Sequence, residues 1–123
     1  MKFILDTNVL ISGLIKESTT RKILFNDHFN FYVPEWVIVE VSKYSPENSQ
    51  KAELTQIELQ NLFNLILEHL TVVPLVTYQK KLKKANEIMA FIDEKDAQFI
   101  ALALSIKNNG IWSNDKHFKK LIN

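Results

Sequence analysis

With 123 residues, 46% of them apolar and 24% charged, the chain has the length of one domain and ordinary globular composition, which excludes wholesale disorder. It has no cysteine, so disulfides, thiolate metal sites and cysteine nucleophiles are excluded; with only three histidines, a metal site has to be built mainly from oxygen ligands, which favours magnesium or manganese over zinc. The formal net charge of +1 says little, but from Lys80 onward nine lysines stand against five acids.

In chain order, residues 2–6 read as a buried strand, a short apolar run without alternation. Asp6 interrupts that run before a signal-peptide core can form, and nothing reaches the ~20 apolar residues of a membrane span, so a cytoplasmic protein without a membrane segment is expected. Thr7 to Ile15 and Thr19 to Asn26 follow as short helices. "FNFYVP" at 29–34 is a strand closed by Pro34, which suits the first turn of a helix running to about Tyr44. Leu54, Ile57, Leu62, Leu65, Ile66 and Leu70 recur at helical spacing, which predicts one long amphipathic helix over 53–70.

"TVVPLV" at 71–76 is a third strand, peripheral because Pro74 cannot donate to a ladder. Tyr78 to Phe91 returns to helix, and its "QKKLKKANE" reads as a solvated lysine-rich face. A further helix starts at Asp93 and ends at the "NNG" stop of 108–110; "GIWSND" is the fourth strand, with a helical turn at 116–122. Strands separated by helices mean crossover connections. The expected fold is therefore a single α/β domain over 1–123, a three-layer α/β/α sandwich around a mainly parallel sheet of four or five strands. The helices between the second and third strands are expected to form a protruding lobe.

Open parallel sheets bind ligands beyond the carboxyl ends of their strands. Asp6 ends the first strand and Asp115 the fourth, so both point to that edge. Glu40 shares a helix face with Val37, Val41 and Tyr44, a carboxylate on a stripe meant for the core. Asp93 and Asp96 open the next helix, with Phe99, Ile100 and Ala103 continuing the face of Asp96. Five converging carboxylates would repel one another and take up protons unless a divalent cation lay among them. Lys116, Lys119 and Lys120 follow Asp115 directly and are candidates for phosphate contact, with His117 beside them as a surface residue.

Each acid also has a structural alternative. Asp6 suits the N-cap of the helix after it, and Asp93 with Asp96 fits a variant capping box. Asp115 can stabilise a turn beside Asn114, and Glu40 can pair with a buried lysine.

"ILDTNVLIS", the glutamate of "PEWVIVEV", "DEKDAQFIALAL" and "IWSNDKHF" resemble, in order and spacing, the PIN-domain nucleases, whose best-populated branch contains the VapC-type toxins of prokaryotic toxin–antitoxin pairs. The resemblance runs from Met1 to Phe118 and places the family's acids on Asp6, Glu40, Asp96 and Asp115, with Asp93 as an extra acid found in part of the family. Asn8 matches the polar residue after the first aspartate; Ser113 stands where threonine is frequent and keeps the hydroxyl. The resemblance implies a Rossmann-like fold and an endoribonuclease using Mg2+ or Mn2+, acting on RNA, often a homodimer and often bound by an antitoxin protein. The 53–70 helix is the expected dimer or partner surface, although its own core is enough to explain an amphipathic helix. A phospho-accepting receiver module is disfavoured, since "ILDTN" offers one acid and "TVVPLV" ends without any. A PIN-fold module that binds RNA or protein without catalysis is the remaining alternative.

Overall fold

The first strand, β1 (Lys2–Leu5), forms where the apolar run predicts it, and α1 (Thr7–Ile15) starts immediately behind Asp6. The structure is a computed structural model and describes residues 1–89 and 96–113. Next comes α2 (Thr19–Leu24), two residues shorter than the spacing suggests, because Phe25 leaves helical geometry at φ −89°, ψ 1°. Arg21 of α2 reaches back to α1: its Nε donates to Gly13 O at 2.8 Å and its Nη2 to Leu14 O at 3.2 Å. These are two of the carbonyls that a helix C-terminus leaves without an intrahelical partner.

β2 (Asn30–Pro34) leads into α3 (Trp36–Lys43). The long helix expected over 53–70 is instead a shorter helix that stops at Leu67, with a separate helix before it and a strand starting at Leu70. α4 (Ser45–Ala52) has no counterpart in the sequence reading, for a physical reason: "SPENSQKA" carries no apolar stripe, and the helix has Pro46 in its first turn and buries Asn48 and Ser49. It ends at Glu53, which takes the left-handed φ of 58°. A capping box then opens α5 (Gln56–Leu67): the Glu58 N–H donates to Thr55 Oγ1 and the Thr55 N–H to Glu58 Oε1. Leu70, placed in that helix by its spacing, belongs to β3 (Leu70–Val73). α5 does not protrude as a lobe. It buries Leu59, Phe63 and Ile66, and both α4 and α5 pack on α1.

Pro74 cuts the third strand short of Val76 and starts α6 (Leu75–Tyr78); a 3-10 turn at Gln79–Lys81 joins it to α7 (Leu82–Met89). α8 (Ala97–Ser105) has Asp96 at its N-cap. The stop at 108–110 holds as expected: Asn108 Nδ2 donates to Ala103 O and Ile106 O, both at 2.9 Å, and Gly110 turns the chain at φ 134° into β4 (Ile111–Trp112). The expected fourth strand extended to Asp115; Asn114 and Asp115, and the turn expected at 116–122, lie outside the described residues.

The four strands of the described residues pair in the order β3-β2-β1-β4, every pairing parallel, with Phe3 opposite Phe31, Ile4 opposite Ile111 and Leu5 opposite Trp112. Helices cover the sheet in a three-layer α/β/α arrangement, as expected. β3 lies at an edge, and Pro74 falls just past its last residue. Ile4, Leu5, Val9, Leu14, Val33, Val37, Ile66 and Leu102 are completely buried and join sheet and helices in one core. No helix among the described residues is long and apolar enough to cross a membrane.

Candidate functional site

The chain lays β2 and β3 on one side of β1 and returns to place β4 on the other. Connections leaving neighbouring strands in opposite directions open a crevice at their carboxyl ends, and here that point lies between β1 and β4. Asp6 and Ser113 are the residues at that point. The Asp6 N–H donates to Trp112 O at 3.3 Å, continuing the ladder, and the Ser113 hydroxyl donates to Asp6 Oδ2. The other carboxylate oxygen accepts from the Val9 N–H at 2.9 Å, as the N-cap of α1. Asp6 is 3% exposed, and these donors offset much of the cost of burying a carboxylate. The N-cap alternative is therefore correct for Asp6, and it uses one of its two oxygens.

Beside it, Thr7 Oγ1 is buried with no hydrogen-bond partner among the described residues. The sequence reading passed over Thr7; the signal was its place between Asp6 and Asn8. Asn8 is exposed on the first turn of α1. Glu40 is half-buried on α3 between the buried Val37 and Val41, the face its spacing predicts, and makes no ion pair among the described residues. Asp96 is partly buried at the N-cap of α8 without a side-chain bond to the first turn of that helix; the capping-box alternative involves Asp93, which lies outside the described residues.

The first turns of α3 and α8 meet through Trp36 and Phe99, whose rings contact edge to face at 5.8 Å. Completely buried Tyr78 packs under α3. Burial pushes its phenol above the ordinary value; the Trp36 backbone pulls the other way, and the charge of Glu35 pushes it up further. Glu35 is a second residue missed from sequence. Directly after Pro34 it ties two strand ends together: its N–H donates to Val73 O at 2.9 Å, and its Oε1 accepts the Leu75 N–H at 2.6 Å.

Of the acids expected to converge, Asp6, Glu40 and Asp96 fall within the described residues; Asp93 and Asp115 lie outside them, as do Lys116, His117, Lys119 and Lys120. No group of three or more histidine or acidic side chains among the described residues is placed to hold a metal ion, so those three acids do not complete a centre by themselves. In kind the donors fit a hard divalent cation: carboxylate oxygens, with the orphaned Thr7 hydroxyl next in the chain to Asp6. An open cavity of about 750 Å³ on the sheet is lined by Phe3, Phe29, Phe31 and Trp112 and holds no acid, which suits neither a cation nor its chemistry.

No curated protein matches the chain. The family model of the PIN domain matches residues 4–121, a span that includes all of the candidate acids. PIN domains are generally nucleases and generally use divalent metals. With that match, a parallel α/β/α sheet and a buried aspartate at its switch point, the chain belongs to the PIN domain family.

Proposed function

We propose that the protein is a divalent-metal-dependent endoribonuclease that hydrolyses RNA phosphodiester bonds. The observation that carries the reading is the buried Asp6 carboxylate at the β1–β4 switch point, held by the Val9 N–H and the Ser113 hydroxyl, in a chain of the PIN domain family. Asp6, Glu40, Asp96 and Asp115, with Asp93 beside them, would hold Mg2+ or Mn2+. Such an ion supplies neutralisation of phosphate charge and acidification of the attacking water.

The protein's own part is orientation. With both carboxylate oxygens engaged, Asp6 keeps one rotamer, and a ligand fixed by its neighbours binds without first being ordered. Asp115 follows Ser113 by two residues in the sequence. Asn8 is available on the exposed rim for a substrate hydrogen bond, and Lys116, Lys119 and Lys120 would neutralise phosphates flanking the scissile one. No side-chain nucleophile is needed.

The choice of RNA over DNA, a second copy as homodimer partner and an antitoxin protein as inhibitor follow from the resemblance to VapC-type toxins. The deciding experiment is cleavage of a labelled RNA with magnesium, repeated with chelator and with Asp6→Asn. Cleavage lost in both supports the reading; cleavage surviving both sinks it. Isothermal titration with manganese separates the non-catalytic alternative, for which no carboxylate-dependent heat is expected. Expression in a bacterial host tests the toxin role: growth arrest by the wild type but not by Asp6→Asn supports it.

A further inference from the structure

Lys80, Lys81, Lys83 and Lys84 put four exposed lysines within five residues, in the 3-10 turn and the first turn of α7. Leu82 packs against the core and Ala85 is completely buried, which fixes the segment and leaves the four lysines on its outer side. From sequence this is a solvated face. The fold adds two facts.

The first is electrostatic. Positive charge at a helix N-terminus opposes the macrodipole, so lysines here work against α7 rather than for it. Glu87 is four residues from Lys83 and three from Lys84, yet none of the four lysines makes an ion pair among the described residues. Folding gains nothing visible from this tract.

The second is position. α6 starts at the carboxyl end of the sheet, its first N–H bound to Glu35 at the end of β2. Four helical residues carry the chain only ~6 Å before the tract begins. β3, which feeds α6, stands two strands from β1, roughly 10 Å away. The tract therefore begins within one short helix of the edge that holds Asp6.

We infer that Lys80, Lys81, Lys83 and Lys84 form a phosphate-tracking strip that binds the backbone of the RNA strand to one side of the bond being cut. This rests on the ribonuclease reading and extends it: the substrate is a strand long enough to span site and strip. Phosphate contacts of this kind carry no sequence information and are strongly salt-dependent. An acidic protein segment would meet the same charges, and the test separates the two.

The test is equilibrium binding of a labelled single-stranded RNA of about 20 nucleotides to the full chain in chelator, where no cleavage occurs, over a range of salt. Changing all four lysines to glutamine is expected to weaken binding ~10-fold or more near 0.1 M salt and to lower the slope of log K against log salt by about 3, at ~0.7 per phosphate contact. Changing all four to arginine is expected to preserve binding. A charge-matched control with Lys16, Lys22, Lys51 and Lys107, all exposed, changed to glutamine is expected to keep the wild-type slope. The thermal midpoint of the four-glutamine variant is expected to stay level or rise, as the dipole argument requires.

Wild-type binding by the glutamine variant, an equal loss in the control, or displacement of the RNA by polyglutamate at matched charge would each overturn the strip. Magnesium-dependent cleavage reads the parent proposal separately. Cleavage without strip-dependent binding removes only the strip; strip-dependent binding without cleavage removes only the nuclease.

Discussion

Asp6 serves both as the cap of α1 and as the central candidate acid, and substitution can separate the two roles. Asparagine caps a helix about as well as aspartate, so Asp6→Asn is expected to change unfolding free energy by less than about 1 kcal/mol while abolishing metal-dependent cleavage. Asp6→Ala also loses the bonds from Val9 and Ser113 and is expected to cost about 2 kcal/mol in urea unfolding. Tyr78 sets a pH dependence. Its phenol, raised by burial, stays neutral in the folded chain at pH values where the unfolded chain has begun to ionise. Its contribution to stability is therefore complete below the ordinary tyrosine range and declines as pH rises through it. Unfolding midpoints from pH 8 to 11 are expected to fall at the alkaline end, and Tyr78→Phe is expected to flatten that fall.

Among the elements, α1 is the one the site depends on, since its N-terminus holds Asp6 and its C-terminus is held by Arg21. Arg21→Ala leaves the Gly13 and Leu14 carbonyls without these partners and is expected to destabilise the protein by about 2 kcal/mol, measured by denaturant midpoint. Arg21→Lys is expected to recover less than half of that, because one ammonium does not reproduce two divergent N–H directions. Both variants are expected to retain cleavage below their melting temperatures, which separates support of α1 from chemistry. The elements read best from sequence are those with an apolar period, such as β1 and α8. α4 was invisible because its buried residues are Asn48 and Ser49, and α5 was overextended because Leu54 and Leu70 fit its period while lying beyond its caps.

For the whole molecule, a divalent ion that binds only the folded chain raises its stability by mass action. At manganese concentrations roughly 100 times Kd the expected gain is about 2.7 kcal/mol, seen as a higher melting temperature, reversed by chelator and lost in Asp6→Asn. An unchanged melting temperature would argue against a carboxylate metal centre independently of any activity measurement. The same strand order puts the buried Asp6 carboxylate at the β1–β4 crevice, while the lysine tract follows β3 at the other side of the sheet.

The sequence by itself determined that a carboxylate would end a buried strand, since a strand as apolar as β1 has nowhere to go but the core. It also determined that the sheet would be parallel, since helices separate the strands. It marked Glu40 as an acid on the inner stripe of its helix, because helical spacing is a local property. Tertiary structure alone decided which strand lies beside β1, and hence that Ser113 meets Asp6 across 107 positions of chain. It alone decided that Glu35 would tie β2 to α6. Those outcomes depend on how crossovers stack around a common core, and that information is shared among distant residues rather than written in any one stretch.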